Sequence, residues 1–201
     1  MDFAEPLQAL IPGTTGRVLN VLVHTSMPLS GRAIAQLAEV SPAQAARVLP
    51  RLTELGLVKR RFAPPAFLYE FAHDHVAADP LHLLAGLGFV FLERLGNEIA
   101  SFRPAPACVA VYGSFPRGQA HADSDIDLLV VRPETVDVDD EGWQRVVDTI
   151  RTRGHVLSGN RVEILEVGQL ECRRLIRGKR PLWRNVVVEA LVVHGPPLYE
   201  L

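Results

Sequence analysis

VAVYGSFPRG (residues 109–118) and SDIDLLVV (residues 124–131) are the two stretches that decide the fold of the C-terminal half. The first is an apolar run that ends in Gly113-Ser114, and the second is an apolar run that opens with Asp125 and Asp127. Side chains two residues apart on a strand share one face, roughly 6.6 Å apart at ~3.3 Å per residue. The pattern predicts two strands joined by a short loop, with two carboxylates on one face where the second strand starts.

The two carboxylates indicate a bound cation. At that separation they repel each other unless a cation lies between them or one takes a proton. With the Gly-Ser turn beside them, we expect Mg²⁺ carrying a nucleoside triphosphate. Gly113 would let the backbone approach the phosphates, and the amide and hydroxyl of Ser114 would donate hydrogen bonds to them. Arg117 would either add a cation to this cradle or form an ion pair that holds the loop.

The rest of the C-terminal half alternates strands and helices, which predicts an α/β layer. We expect strands at 107–112, 126–131, 161–167 and 191–193, and helices at 140–153, 169–177 and 182–190. A third carboxylate, Glu163, lies on the predicted strand 161–167 between apolar residues and would complete a metal site. Glu166 falls on the opposite face of that strand. Five cations near the end of the chain would reach a triphosphate tail or an acidic partner, or form solvated helix surface: Arg173, Arg174, Arg177, Lys179 and Arg180.

The order Gly-Ser, Arg-Gly, Ser-Asp-Ile-Asp resembles the polymerase-beta-like nucleotidyltransferase superfamily. The similarity spans roughly residues 105–201 and is closest to the minimal nucleotidyltransferases, some of which act as antitoxins. It implies a mixed sheet and transfer of AMP from ATP, with two Mg²⁺ ions, to the hydroxyl of a protein tyrosine, a small molecule or an RNA end. The implied catalytic and metal-binding residues are Asp125, Asp127 and Glu163, and the implied phosphate-binding residues are Gly113, Ser114 and Arg117. The third acid of the superfamily is more commonly Asp than Glu. The longer side chain of Glu163 makes its role as a base a point to test.

Residues 15–62 predict three helices and a β-hairpin. Ser30 is a candidate N-cap for the second helix, whose buried face would include Leu37. For the third, Ser41 is the N-cap and Gln44 completes a capping box, Leu55 ends the apolar face, and Gly56 is a left-handed stop. Strands follow at 57–62 and 67–71. This arrangement resembles a winged helix of the MarR or ArsR type.

The predicted third helix presents long polar side chains on the face opposite its apolar stripe. Arg and Gln can read guanine and adenine edges, and a basic wing would meet phosphates. Residues 30–62 hold six Lys or Arg against two acids. We therefore expect binding to double-stranded DNA, with a winged helix used only for protein contact as the alternative. The residues expected to contact DNA are Gln44, Arg47, Arg51, Lys59, Arg60 and Arg61.

Residues 80–100 predict one long helix that is apolar on more than one side, so neighbouring domains or subunits should cover it. Arg103-Pro104-Ala105-Pro106 would then break the chain. The predicted organisation is a winged helix-turn-helix domain at 1–79, a connecting helix and linker at 80–104, and a nucleotidyltransferase domain at 105–201. A homodimer or a toxin partner would be consistent with the exposed apolar helix.

Overall composition bounds the setting. The chain has 201 residues, a formal net charge of −2 and two cysteines, so a basic patch would have to be local and a disulfide framework is not expected. No apolar run reaches the ~20 residues needed to span a membrane. We expect a cytoplasmic protein. The alternative to an enzyme is a DNA-binding regulator or antitoxin whose transferase-like domain senses nucleotide or binds a partner without turnover.

Overall fold

The computed structural model describes residues 1–178 and 181–201. Lys179 and Arg180, two of the predicted basic residues, lie outside the described residues. The chain forms two compact units, one of residues Glu5–Leu87 and the other of Gly88–Leu201 together with Met1–Ala4. That Met1–Ala4 join the C-terminal unit was not anticipated from the sequence. Within the described ranges, no helix is long and apolar enough to cross a membrane.

The N-terminal unit consists of helices and a small antiparallel sheet. Its three strands lie in the order β1-β3-β2, and β2 and β3 form the hairpin expected from the sequence. The core lies between the helices and one side of this sheet. In chain order the elements are α1 (Pro6–Leu10), α2 (Thr14–Val23), β1 (Leu29–Ser30), α3 (Gly31–Leu37), α4 (Pro42–Glu54), β2 (Val58–Ala63), β3 (Ala66–Phe71) and α5 (Ala78–Ala85).

Local capping signals place the N-terminal helices. The Ser30 hydroxyl accepts a hydrogen bond from the Ala33 amide, and the Ser41–Gln44 capping box is complete, which confirms both predicted caps. Gly56 has a φ of +77°, as predicted for a left-handed stop. The predicted burial of Leu37 and Leu55 is wrong, since they are 59% and 56% exposed. Leu37 is the last residue of α3 and Leu55 is the C-cap of α4, so both lie at helix ends, and at the end of α3 it is Ala38 that packs in the core.

The predicted continuous helix over 80–100 is also wrong. Helix α5 ends at Ala85, and a new helix, α6, runs from Leu87 to Ile99. Gly86 separates them with φ −93° and ψ 20°, and its amide closes the last turn of α5 by donating to the His82 carbonyl. Two shorter helices then have separate apolar faces, which explains why the combined sequence looked apolar on several sides.

The C-terminal unit is built on a mixed sheet, as expected from the sequence. The described strands lie in the order β6-β5-β4-β7, with β5 and β6 parallel and the other pairs antiparallel. Helix α7 continues to Ser158, beyond the predicted end at 153, because the left-handed residue that stops it is Gly159. After α6 the elements are β4 (Cys108–Tyr112), β5 (Ile126–Arg132), α7 (Glu141–Ser158), β6 (Val162–Gly168), α8 (Gln169–Arg177), α9 (Pro181–Glu189) and β7 (Leu191–His194).

Strand alternation divides the core of this unit into two layers. Ile126, Leu128 and Val130 pack in the layer that contains α6 and Trp143 of α7. Leu129 and Val131 pack in the other layer, which contains residues of α8 and α9. Because alternate side chains point to opposite faces, Asp127 belongs to the same face as Leu129. The buried strands thus present carboxylates where the apolar part of that face ends.

Candidate active site

Three polar side chains lie in one row across the central strands. Tyr112 at the end of β4 is opposite Asp127 in β5, and Asp127 is opposite Glu163 in β6. Neighbouring strands are about 4.8 Å apart, so this register brings the two acids together although 36 positions in the chain separate them. Asp125 lies two residues before Asp127, in the loop that leads into β5, and is exposed. Burial increases from Asp125 to Asp127, which is half-buried.

Gly113 makes the closest approach to this row. Its φ of +78° is left-handed, and a Cβ built on it would lie 2.2 Å from Oδ2 of Asp127. Both the backbone conformation and the space therefore require glycine here. The predicted turn of the chain at Gly113 is confirmed, and the neighbouring carboxylate is a reason for the glycine that the sequence did not reveal.

The loop after Gly113 is anchored at its buried end. The Phe115 ring contacts the rings of Phe3 and Phe91, with centroids 5.0 and 5.7 Å away. The Gln119 amide donates to the Ser114 carbonyl at 3.0 Å, which closes the turn. Ser114 remains half-buried at the start of this turn, beside the row of acids. Its backbone is thus held in place from both sides before any ligand arrives.

Asn160 holds the loop that carries Asp125. It is only 3% exposed, and its Nδ2 lies 3.2 Å from the Ala122 carbonyl and 3.0 Å from the Ser124 carbonyl. Its Oδ1 accepts a hydrogen bond from the Met1 amino group at 2.7 Å. Asn160 therefore fixes the backbone immediately before the first acid. Nothing in the sequence pattern pointed to it, because its partners are main-chain atoms at positions 1, 122 and 124, all distant in the chain.

The electrostatics of the row reflect crowded anions. Burial raises the pKa of Asp127, and the neighbouring charges of Asp125 and Glu163 raise it further, while Arg117 opposes them. Burial also raises the pKa of Tyr112, with smaller contributions from the charges of Asp127 and Glu163. An arrangement that disfavours the charged form of Asp127 is one that a bound cation would stabilise.

Arg117 and Glu163 each have an ion-pair partner. Arg117 donates to Glu189 at 3.0 Å, the ion-pair alternative left open from the sequence, and Glu163 pairs with Arg161. Glu166 lies on the opposite face, as expected, and accepts a hydrogen bond from the Trp143 indole at 2.7 Å. A signal for the Arg161–Glu163 pair existed in the sequence, because residues two apart on a strand share a face. The pairing of Arg117 with Glu189 could not be predicted in this way, because the two residues are distant in the chain.

The donor set fits Mg²⁺ chemically. Carboxylate oxygens are the ligands that this ion prefers, and the charges of Asp125 and Glu163 both act on Asp127. Across residues 1–178 and 181–201, however, no three His, Cys, Asp or Glu side chains are already grouped around one position for a metal. Glu163 would have to leave Arg161 before it could join the other two acids.

The predicted DNA-contacting residues are all exposed on the N-terminal unit. Arg47 and Arg51 lie on α4. Gln44 lies on the same helix, and its Oε1 accepts a hydrogen bond from the Ser41 amide in the capping box, which competes with contact to a base. On the hairpin, Lys59 pairs with Asp74 at 3.3 Å and the Arg60 guanidinium lies 4.5 Å from the centre of the Phe67 ring. Arg61 is exposed on β2 as well. The residues lie on one α-helix and one strand of the same unit, and their role in DNA binding stays a prediction.

The fold and the site together define a class of protein. It is a mixed α/β domain with carboxylates beside a glycine turn. Residues 92–182 match the family described as nucleotidyltransferase domain. This confirms that part of the resemblance noted in the sequence.

Among solved structures, the chain is similar to one titled "Crystal structure of the toxin-antitoxin with AMP-PNP". The identity is 17% and the TM-score 0.35, over 52% of this chain and 73% of that chain. This likeness is too distant to assign a fold or a function. No curated protein matches the chain significantly.

Proposed function

We propose that this protein is a magnesium-dependent nucleotidyltransferase that moves AMP from ATP to an acceptor hydroxyl. The observation that carries the proposal is the register of Asp127 with Glu163, next to the turn at Gly113. The match of residues 92–182 to nucleotidyltransferase domains supports the same reaction class. In this reaction the acceptor oxygen forms a bond to the α-phosphorus, the bond to the bridging oxygen breaks, and pyrophosphate leaves.

The chain's own residues would divide the work. Asp125 and Asp127 would hold the metal, which when bound supplies positive charge to the triphosphate. The Ser114 amide and hydroxyl would donate to the phosphates, and Arg117 would add a cation if it left Glu189. Glu163 would accept the proton of the acceptor hydroxyl.

The proposal is tested with labelled ATP, Mg²⁺ and cell lysate, followed by identification of the labelled species. The double variant Asp125→Asn, Asp127→Asn should lose Mg²⁺-dependent nucleotide binding and transfer while it still folds. Asp123→Asn is the matched control, because it removes one carboxylate from the same exposed loop but outside the row of acids. Unchanged nucleotide affinity in the double variant, or an equal loss in Asp123→Asn, would contradict the metal assignment.

One observation favours a second candidate, a nucleotide sensor without turnover. Glu163 is paired with Arg161, and the described acids do not form a ready metal cluster. An enzyme should lose most transfer in Glu163→Gln while ATP stays bound, and Glu163→Asp should keep activity. If wild type and Glu163→Gln bind ATP equally and neither transfers AMP to any acceptor, the sensor proposal is correct.

We also propose that the N-terminal unit binds double-stranded DNA. The exposed Arg47 and Arg51 on α4 and the basic strand β2 support this. Binding should weaken steeply with salt, because cations that contact phosphates release counterions. Absence of duplex binding by the full chain at low salt would favour the protein-contact alternative.

A further inference from the structure

A cavity lies beside Glu163, one of the acids of the candidate active site. Its volume is about 450 Å³, within the usual size of a small-molecule site. Its lining comes from α7 and from β6 with the residue before it, and β6 is one of the two edges of the sheet among the described strands. Its lining residues are Arg151, Thr152, His155, Arg161, Val162 and Glu163. Glu163 therefore belongs both to the row of acids and to this pocket.

The lining combines cations with hydrogen-bonding groups. Arg151 and Arg161 bring two guanidiniums, whose paired N–H donors match phosphate and carboxylate oxygens. Arg151 also pairs with Asp148 at 2.6 Å, and this exposed ion pair leaves its other N–H donors for a ligand. His155 Nδ1 lies 2.9 Å from the Asn160 carbonyl. A carbonyl can only accept, so Nδ1 carries the proton and Nε2 is the remaining hydrogen-bonding atom of the ring. The pocket can thus recognise both an anionic group and a hydroxyl.

The ion pair of Arg161 with Glu163 can open easily. The Arg161 side chain is 76% exposed and that of Glu163 is 47% exposed, and exposed ion pairs are weak. When Glu163 turns toward the other acids, Arg161 loses its partner inside the pocket. An anionic group on the incoming molecule would then replace the carboxylate of Glu163.

We propose that this pocket is the acceptor subsite, and that the acceptor is a small hydroxyl compound bearing a phosphate or carboxylate group. Arg151 and Arg161 contact the anion, and the acceptor hydroxyl lies toward Glu163. The inference rests on the proposed nucleotidyl transfer and specifies its substrate class.

The test measures binding without nucleotide, so it does not depend on turnover. The ring resonances of His155, assigned with His155→Gln, are followed by NMR during titration with glycerol 3-phosphate, glycerate and glycerol. We expect a saturable shift with one or both anions and none with glycerol; comparison of the two anions distinguishes phosphate from carboxylate. Arg151→Ala should weaken that binding by about tenfold or more. Arg161→Ala should weaken it as well.

Arg145→Ala is the matched control. Arg145 lies on the same helix, its side chain is 73% exposed and pairs with Glu141, and it does not line this pocket. It should bind the anions as wild type does. An equal shift with glycerol, no shift with either anion, or equal weakening in Arg145→Ala would overturn the inference.

The outcomes separate this inference from the proposed function. If ATP is not turned over but the anions shift His155 through Arg151, the transferase proposal fails and the anion pocket stands. If AMP is transferred from ATP to uncharged acceptors and the anions shift nothing, the transferase proposal stands and this inference fails.

Discussion

Replacement of Gly113 by alanine tests whether the turn is shaped around Asp127. At a φ of +78° a residue with a Cβ pays a backbone cost of about 1–2 kcal/mol. The new Cβ would also meet Oδ2 of Asp127 at 2.2 Å, against an ordinary contact of 3.4 Å or more, so the carboxylate must move by about 1.2 Å. A misplacement of about 1 Å in an active site can cost ~100-fold in rate. We expect Gly113→Ala to lose about that factor in transfer.

Gly118→Ala is the control that isolates the clash. Gly118 lies in the same loop with a φ of +67°, and a Cβ there would have no atom within 4 Å. It should pay the backbone cost alone, about 1–2 kcal/mol, without moving Asp127. Both variants should therefore lose similar free energy of unfolding in denaturant, while only Gly113→Ala loses Mg²⁺-ATP affinity in calorimetry and activity in the transfer assay.

Equal nucleotide affinity and equal transfer in the two alanine variants would refute this reasoning. That result would mean that the position of the Asp127 carboxylate does not matter for nucleotide. A much larger stability loss in Gly113→Ala alone would show instead that the clash is relieved by the backbone rather than by the carboxylate.

Three further predictions concern Asp127, Asn160 and Arg47. Folding raises the pKa of Asp127, so in metal-free buffer wild type should lose stability as pH rises from the ordinary aspartate range through the raised value. Asp127→Asn should abolish that loss and melt at a higher temperature at neutral pH; identical melts at all pH values would contradict this. Asn160→Asp keeps the shape and the acceptor of the side chain but removes both amide donors, so it should lower the melting temperature and weaken Mg²⁺-ATP binding in calorimetry. Unchanged values would show that the loop does not depend on Asn160. Arg47→Ala should cost about 1–3 kcal/mol of binding free energy at a cognate DNA site and relax specificity there. Arg60→Ala should instead weaken binding to all duplexes alike and flatten its salt dependence. A uniform loss from Arg47→Ala in binding titrations would exclude contact of Arg47 with a base edge.

Much of the local structure could be predicted from neighbouring residues. The capping box of Ser41 with Gln44, the left-handed stop at Gly56 and the turn at Gly113 each depend on residues within a few positions. The faces of Asp127 and Glu166 followed from strand alternation, which is a period of two in the sequence. These predictions were confirmed because the interactions that enforce them are local.

Breaks and ends of helices were predicted less well. Gly86 divides the expected helix 80–100, yet a single glycine within a helical pattern is often tolerated, so periodicity alone did not reveal the break. Leu37 and Leu55 extend the apolar pattern to the ends of their helices, where both side chains are exposed. Burial at a helix end depends on what packs there, which the spacing of residues does not contain.

The sequence by itself determined that two strands would carry Asp127 and Glu163 beside a glycine turn, with Asp125 where the first of these strands begins. Only the tertiary structure decided that β5 and β6 pair in parallel with Asp127 opposite Glu163, because strand register depends on the packing of both faces. It also decided that Asn160 holds the acidic loop and that Arg161 and Arg151 meet in one pocket beside Glu163. Such contacts join residues distant in the chain, and only the closed sheet and its helices bring them together.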